Sequence, residues 1–390
     1  MRAAARPYED VVVAAPVTVP YTRHSIHSAH WFLAQALAKL IKAAGIRKSD
    51  IDGLAVSSFT LAPDTAVGFT QHVGLSPRFL EHVPMGGASA IVQLRRAARA
   101  VEAGDAQIVA CVAGDANHVD SFRLNTASFS RFARDAVYPY GSGGPNGSFA
   151  LLTAHYMRVY GARREDYGKL CVAQRQNALS NPLALFREKL SLEEYLNARL
   201  IADPIRLFDC VMPCAGADGF LVMRRATAKK LDLPHARLLA AIERHNAYPD
   251  DPIQFRGGWA LDREALYDQA GVAPKDIDFL EAYDDYPVIT LMQIEDLGFC
   301  AKGTGGKFVA DGNLISGIGK LPFNTDGGGL CNNHPANRGS MTKALEAVRQ
   351  LRGEAHPAVQ VKNCDLALAQ GTGFQLATRH GSATMIMERE

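Results

Sequence analysis

Apolar residues recur at helical spacing between Phe32 and Ile41, with Phe32, Leu33, Ala36, Leu37, Leu40 and Ile41 on one face. The chain then reads Ala-Gly-Ile-Arg-Lys-Ser-Asp-Ile-Asp over 44–52 and enters the apolar run Gly53-Leu-Ala-Val. The phrase returns at 270–278 as Ala-Gly-Val-Ala-Pro-Lys-Asp-Ile-Asp, again after a helical stretch and before an apolar run, Phe279-Leu-Glu-Ala. The two passages continue alike. A Gly-Gly-Ala-Ser turn opens an amphipathic helix within 86–104 (Ile91, Leu94, Ala98, Val101), and the strand-like Ile108-Val-Ala-Cys-Val follows. In the second passage a helix over 341–352 (Met341, Ala344, Leu345, Val348, Leu351) leads to Leu366-Ala-Leu-Ala. A period of over two hundred residues is too long for a solenoid. It predicts two copies of one α/β half-domain, with buried, mostly parallel sheets covered by helices.

Between the copies the pattern breaks. Residues 121–165 are irregular, and 165–215 read as helices and turns too polar for core strands, so they predict a lid or insertion. Gly219-Phe-Leu-Val-Met223 closes the first half as a short apolar strand. The chain ends in a predicted hairpin: Leu366–Ala369, a Gly-Thr-Gly turn, then Ser382–Met387. The division is an N-terminal half over 1–235, with an insertion at about 121–215, and a C-terminal half over 236–390.

One loop carries candidate chemistry. Asn324-Thr-Asp-Gly-Gly-Gly-Leu-Cys-Asn-Asn-His334-Pro335 delivers a histidine from a glycine-dense turn straight into the 341–352 helix. Glycine lets backbone approach a ligand closely, and a polar turn before a helix often carries chemistry on a rigid support. The bland alternative is a tight loop with a surface histidine.

Composition narrows the classes. With 390 residues, 47% of them hydrophobic, the chain has ample material for a large core or two fused ones. A net charge of +2, well mixed, makes no case for nucleic acid or an acidic membrane. No apolar run is long enough to span a bilayer, and Met1–Asp10 lacks the apolar core of a secretory signal. The seven cysteines (111, 171, 210, 214, 300, 331, 364) are scattered and odd in number, as in reduced cytoplasmic proteins. Cys210 and Cys214 have no second pair or nearby histidine, so no metal site is expected.

These features resemble the thiolase superfamily over essentially the whole chain, and most closely the thiolase part of sterol carrier protein X and its bacterial relatives. The family pattern Asn-Pro-Ser-Gly-Gly-Leu-x-x-x-Gly-His-Pro falls on 324–335 without a gap. Glu-x-His-Asp-Cys-Phe falls on Glu281-Ala-Tyr283-Asp284-Asp285-Tyr286, and Asp-Gly-Ala-Ala on Asp218-Gly219. Gln176–Pro182 resembles the family's helix-and-loop insertion. The resemblance implies a duplicated fold layered α/β/α/β/α, a homodimer, a coenzyme A thioester as substrate and no permanently bound cofactor. The run of small and apolar residues at Ile108–Ala113 would be poorly tolerated at an open edge, which makes it a candidate dimer element.

The departures decide the chemistry. A thiolase takes the acyl group on a cysteine at the start of the first-half helix; counting back from Gly104, that position is Gly87. The second cysteine of a thiolase falls on about Gln370-Gly371, and the histidine of Glu-x-His-Asp is Tyr283. Only His334 remains of the usual set. A dead scaffold and a reaction needing no acyl-enzyme both fit this loss. Tyr283 favours the second, since a phenol can donate a hydrogen bond to a thioester oxygen or move a proton; a core tyrosine beside Tyr286 is its bland reading. Asp284 and Asp285 read as turn or cap residues and Ser89 as a helix-start residue.

Bacterial steroid side-chain aldolases are similar in lacking the nucleophile and having this tyrosine. That group cleaves a β-hydroxyacyl-CoA by a retro-aldol step with a small zinc-ribbon/OB-fold partner protein. The resemblance then implies catalytic roles for Tyr283 and His334, with Gly87, Ser89, Asn324, Gly328, Gly371 and Gly373 lining the substrate. Gly87, Tyr283, His334 and Gln370–Gly373 are expected to converge on one pocket. Two alternatives stay open: an acyltransferase subunit whose nucleophile is relocated, with Cys331 as the candidate, or supplied by a partner; and a non-catalytic acyl-CoA-binding scaffold.

Overall fold

The computed structural model describes residues 7–119, 121, 134–135, 138–141, 144–251, 253, 255–333, 339–373 and 381–390. Strand β1 (Val11–Thr22) leads to helix α1 (Ala29–Ala44). Ser28 caps that helix, accepting from Trp31 N at 3.3 Å, and Gly45 ends it at φ 62°. After a short turn, in which Asp50 accepts from Arg47 N at 2.8 Å, comes β2 (Gly53–Ser57). Helix α2 (Ala66–Val73), β3 (Phe79–His82), α3 (Ser89–Ala103) and β4 (Ile108–Asp115) follow.

The insertion contributes α4 (Pro145–Tyr160), α5 (Arg164–Ala178) and a separate ribbon of β5 (Leu200–Ala202) and β6 (Ile205–Arg206). Strand β7 (Ala215–Arg224) closes the first half.

The second half repeats these devices. Strand β8 (His235–His245) leads to α6 (Arg263–Ala270), which ends on Gly271 at φ 72°. Asp276 accepts from Ala273 N at 2.8 Å, as Asp50 does from Arg47. Strand β9 (Phe279–Ala282), α7 (Pro287–Asp296), the short helix α8 (Gly328–Cys331), α9 (Gly339–Leu351), β10 (Leu366–Gly373) and β11 (Gly381–Arg389) complete the chain. Asp52 receives Gln107 N (2.8 Å) and Ile108 N (2.9 Å), and Asp278 receives Asp365 N and Leu366 N, both at 2.9 Å. The two aspartates of the repeated phrase do the same work, tying the start of one strand to the start of its neighbour.

Nine strands run in the order β3-β2-β4-β7-β1-β8-β11-β10-β9. Without β3 the order is mirrored about the centre, pairing β1 with β8, β7 with β11, β4 with β10 and β2 with β9. Pairing is parallel at the two flanks (β3–β2, β2–β4, β9–β10) and antiparallel through the middle. Among the described residues, strand pairing joins the halves through Val12–Ala14 of β1 against Arg237–His235 of β8. The sheet wraps around α3 and α9, which share one core with Val11, Val13, Cys111, Phe220, Leu238, Ala367 and Met385. Helix α1 covers the outer face of the first half, while α4, α5, α6 and α7 cover that of the second. The layers are α/β/α/β/α with both amphipathic helices at the centre. Among the described residues no helix is long and apolar enough to cross a membrane.

Three local expectations change. The stretch 121–165 is not irregular throughout: Pro145–Tyr160 is helix α4, opened by Pro145 in its first turn and closed by Gly161 at φ 69°. Gly371-Thr372-Gly373 is the end of strand β10, paired in register with Gly381–Ala383, rather than a hairpin turn. Its glycines answer close packing: a methyl on Gly371 would lie 2.4 Å from Gly87 O, and one on Gly373 1.8 Å from Met85 O. Ile108–Ala113 belongs to β4, which is buried and paired with β2 on one side and β7 on the other, so it offers no edge to a second subunit. Its small apolar residues serve the chain's own interior; the outermost strands are β3 and β9.

Candidate active site

Alternation along β9 aims Phe279 and Glu281 at the central helices, and Tyr283 continues that side just past the strand end. Its backbone is pinned: Tyr283 N donates to Gln370 O at 3.1 Å, and Gln293 Nε2 donates to Tyr283 O at 2.6 Å. The buried ring lies against the starts of both central helices. A methyl on Gly87 would sit 2.2 Å from its Cε2, 2.3 Å from its Cζ and 2.5 Å from Thr372 O; a methyl on Gly339 would sit 2.1 Å from Cε2. Carbon atoms approach no closer than about 3.5 Å without repulsion. The phenol therefore fills the space that any side chain at position 87 would need, and a cysteine there is incompatible with this tyrosine. Gly87, Tyr283, Gly371 and Gly373 are packed together, through Gly87 O, Met85 O and the ring. His334 lies outside the described residues.

The loop that leads towards His334 is held from below. Asn324, at φ 41°, bridges Ala282 with both ends of its amide: Ala282 N donates to Oδ1 and Nδ2 donates to Ala282 O, each at 3.0 Å. That engagement makes Asn324 a clamp between loop and strand end. Gly328 packs so closely that a methyl would meet Asp284 Oδ2 at 2.3 Å. Asp284 Oδ1 accepts from Gly329 N at 2.8 Å and Oδ2 from Leu330 N at 3.2 Å, while Gln174 of α5 donates to the same carboxylate. Lys343 Nζ is 2.9 Å from Asp284 Oδ1 and 3.5 Å from Glu281 Oε2. Asp284 is therefore no local turn or cap residue: it receives the Gly329 and Leu330 N–H groups of α8 from a distant strand end, and it belongs to a buried ionic cluster. Burial raises the Glu281 carboxyl well above the usual range, with Lys343 opposing. Burial pulls the Lys343 ammonium down, yet Asp284, Glu281 and Asp326 outweigh it and hold the group above its ordinary value. Glu346, which accepts from Thr325 Oγ1 at 2.6 Å, is pushed up to about 7, chiefly by burial and by Asp326.

The remaining candidates have structural partners. Ser89 Oγ accepts from Met85 N at 2.9 Å, folding the turn before α3 onto the helix start. Cys331 is buried on the α5 side of the loop, where Arg175 Nε donates to its sulfur at 3.4 Å. Burial pushes its thiol up to about 11, against the lowering pull of Arg175. At neutral pH such a thiol is about one ten-thousandth ionised, and the thiolate is the nucleophilic form. The same cause takes Cys300 to about 11 and Cys210 and Cys364 to about 12. Sequence reasoning missed Gly339 and Lys343. Lys343 lies on the polar side of α9 with Glu346 and Gln350; the helix is buried on that side as well, so the amphipathic pattern carried no signal for it.

Comparison with known proteins agrees with this architecture. Residues 259–389 match the family model described as Thiolase C-terminal domain-like. A steroid side-chain-cleaving aldolase of Thermomonospora curvata is 32% identical over 352 residues, covering 85% of this chain and 88% of that protein. A 17-hydroxy-3-oxo-4-pregnene-20-carboxyl-CoA lyase of Mycobacterium tuberculosis is 30% identical over 372 residues, covering 90% and 94%. A solved structure described as an Ltp2-ChsH2(DUF35) aldolase superimposes with a TM-score of 0.85 at 28% identity over 99% of both chains. The chain therefore belongs to the thiolase superfamily, in the branch of the steroid side-chain-cleaving aldolases and sterol carrier protein 2, and is an enzyme of that superfamily.

Proposed function

We propose that this enzyme cleaves a carbon–carbon bond in a β-hydroxyacyl-CoA by a retro-aldol step, without an acyl-enzyme. The observation that carries the reading is the Tyr283 ring seated on Gly87, where a thiolase nucleophile would have to stand. In the reaction the β-hydroxyl loses its proton to a base and the Cα–Cβ bond breaks. Its electron pair passes into the thioester as an enolate, and protonation at Cα releases a shorter acyl-CoA beside a carbonyl product. Tyr283 moves the proton or hydrogen-bonds the reacting oxygen, and His334 holds the enolate oxygen.

The names of the relatives support the class. One is a steroid side-chain-cleaving aldolase, and another acts on a CoA thioester whose name includes a 17-hydroxyl group. The structural neighbour is described together with ChsH2(DUF35). We extend to this chain a small partner protein of the zinc-ribbon/OB-fold kind and a homodimeric state, with the halves divided near residue 235. The relocated-nucleophile alternative loses support because the Cys331 thiol is buried and neutral.

The test is a panel of β-hydroxyacyl-CoAs and acetoacetyl-CoA, with and without the partner, on wild type, Tyr283→Phe and His334→Ala. Cleavage of a hydroxyacyl-CoA with no thiolysis is expected, and each variant should lose roughly a hundredfold or more. Robust thiolysis of acetoacetyl-CoA by wild type would sink the proposal. Inactivity on the whole panel would favour a scaffold.

A further inference from the structure

We infer that Lys343 is a positioning residue: its ammonium, shared between Glu281 and Asp284, sets where the Tyr283 ring and the Gly328–Cys331 turn stand relative to α9. The inference rests on the lyase reading for its catalytic consequence, but its geometry is independent of it.

Spacing makes the link. Glu281 and Tyr283 are two residues apart along an extended segment, about 6.6 Å. Lys343 and Gly339 are four residues apart on α9, about 6 Å and on the same face. The Glu281–Lys343 pair at 3.5 Å is thus the rung next to the Tyr283–Gly339 contact. Asp284, on the other side of Tyr283, meets the same ammonium at 2.9 Å and passes the constraint to Gly329 N and Leu330 N. One buried charge therefore brackets the tyrosine and anchors the loop that leads to His334.

The duplicated fold supplies an internal control. Asp52 and Asp278 make equivalent bonds, so counting onward from them places Ala55 where Glu281 stands, Ser57 at Tyr283 and Ser58 at Asp284. Ala55 packs in the central core with α3, whose buried residues include no titratable group. The corresponding strand and helix of the first half pack together without a buried lysine between two carboxylates; the buried carboxylate at that end, Asp115 of β4, is held instead by Ser58 Oγ and by Phe59 and Thr60 N–H groups. A buried ion pair is often no more stabilising than apolar residues of similar size. The fold does not require Lys343, Glu281 and Asp284; the site is what distinguishes the half that has them.

The experiment compares wild type with Lys343→Met and with Lys343→Met/Glu281→Gln. The single variant strands buried carboxylates and is expected to lose stability. The double variant removes Glu281 ionisation while leaving an oxygen to accept from Thr325 N, the bond Glu281 Oε1 now makes at 3.1 Å. It is expected to recover part of the melting temperature, since Asp284 keeps its bonds from Gly329 N and Leu330 N but not its cation. Hydrogen exchange read by mass spectrometry should still rise in the double variant over peptides covering 281–286 and 326–333, and not elsewhere. Its kcat should fall about tenfold or more, with KM within about threefold, the signature of a misplaced reacting group rather than lost binding. A double variant with wild-type exchange in both segments would overturn the inference, as would wild-type kcat. If wild type cleaves no hydroxyacyl-CoA, the lyase reading falls, and the exchange measurement alone decides the positioning role.

Discussion

Gly87→Ala is the most direct perturbation of this site, because it adds a single methyl at its tightest point. Gly87 is not in the left-handed region, so alanine brings no backbone strain there and the effect reports contact alone. The methyl would begin 2.2 Å from Tyr283 Cε2, and an unstrained carbon contact needs at least about 3.5 Å. The ring would have to retreat by about 1.3 Å. Gly339 limits that retreat, since the ring already lies within 2.1 Å of where a methyl on Gly339 would stand, and Thr372 O, 2.5 Å from the new methyl, is backbone that cannot swing aside. Overpacking of a close-packed interior costs about 1–3 kcal/mol, and the upper end applies where two neighbours resist. A shift of about 1 Å in a reacting group costs on the order of a hundredfold in rate. Thermal unfolding and steady-state cleavage of a hydroxyacyl-CoA should therefore both show a loss in Gly87→Ala. In a Tyr283→Ala background the same substitution should cost clearly less stability, because the two nearest obstacles to the methyl are atoms of the Tyr283 ring. Equal costs in the two backgrounds, or an unchanged melting temperature and kcat in the single variant, would refute the claim that phenol and side chain compete for one space.

Cys331→Ala should keep activity within about threefold, because a thiol held up at about 11 by burial is not the nucleophile; a loss of a hundredfold with normal folding would reinstate it. Glu346 has a folded pKa of about 7, above its ordinary 4.5, so the folded state holds that proton more tightly. Its contribution to stability is fully present below about pH 4.5 and is lost as pH rises through about 7, on the order of 3 kcal/mol at most. Glu346→Gln should flatten the melting temperature across that window, and an unchanged slope would contradict the assignment. Light scattering after size exclusion should give about twice the chain mass of 42.1 kDa, and a clean monomer at micromolar concentration would count against the homodimer.

Much of the fold was legible in sequence because it is written in local rules. Gly45 and Gly271 end their helices for the same stereochemical reason, and Asp52 and Asp278 follow them at the same distance to tie neighbouring strands. The repeat and the amphipathic faces of α3 and α9 were enough to predict a duplicated, layered fold with both helices inside. The absence of a thiol at Gly87 was likewise visible by counting. Sequence could not show that Gly371 and Gly373 are glycines because another strand end presses on them, or that β4 is paired on both sides. Nor could it show that Lys343 brackets Tyr283. These facts join residues far apart in the chain, and no local propensity encodes such distances. Tertiary structure alone decided that a tyrosine from one half stands where the other half has lost its side chain, because two rigid helix starts leave room for only one of them.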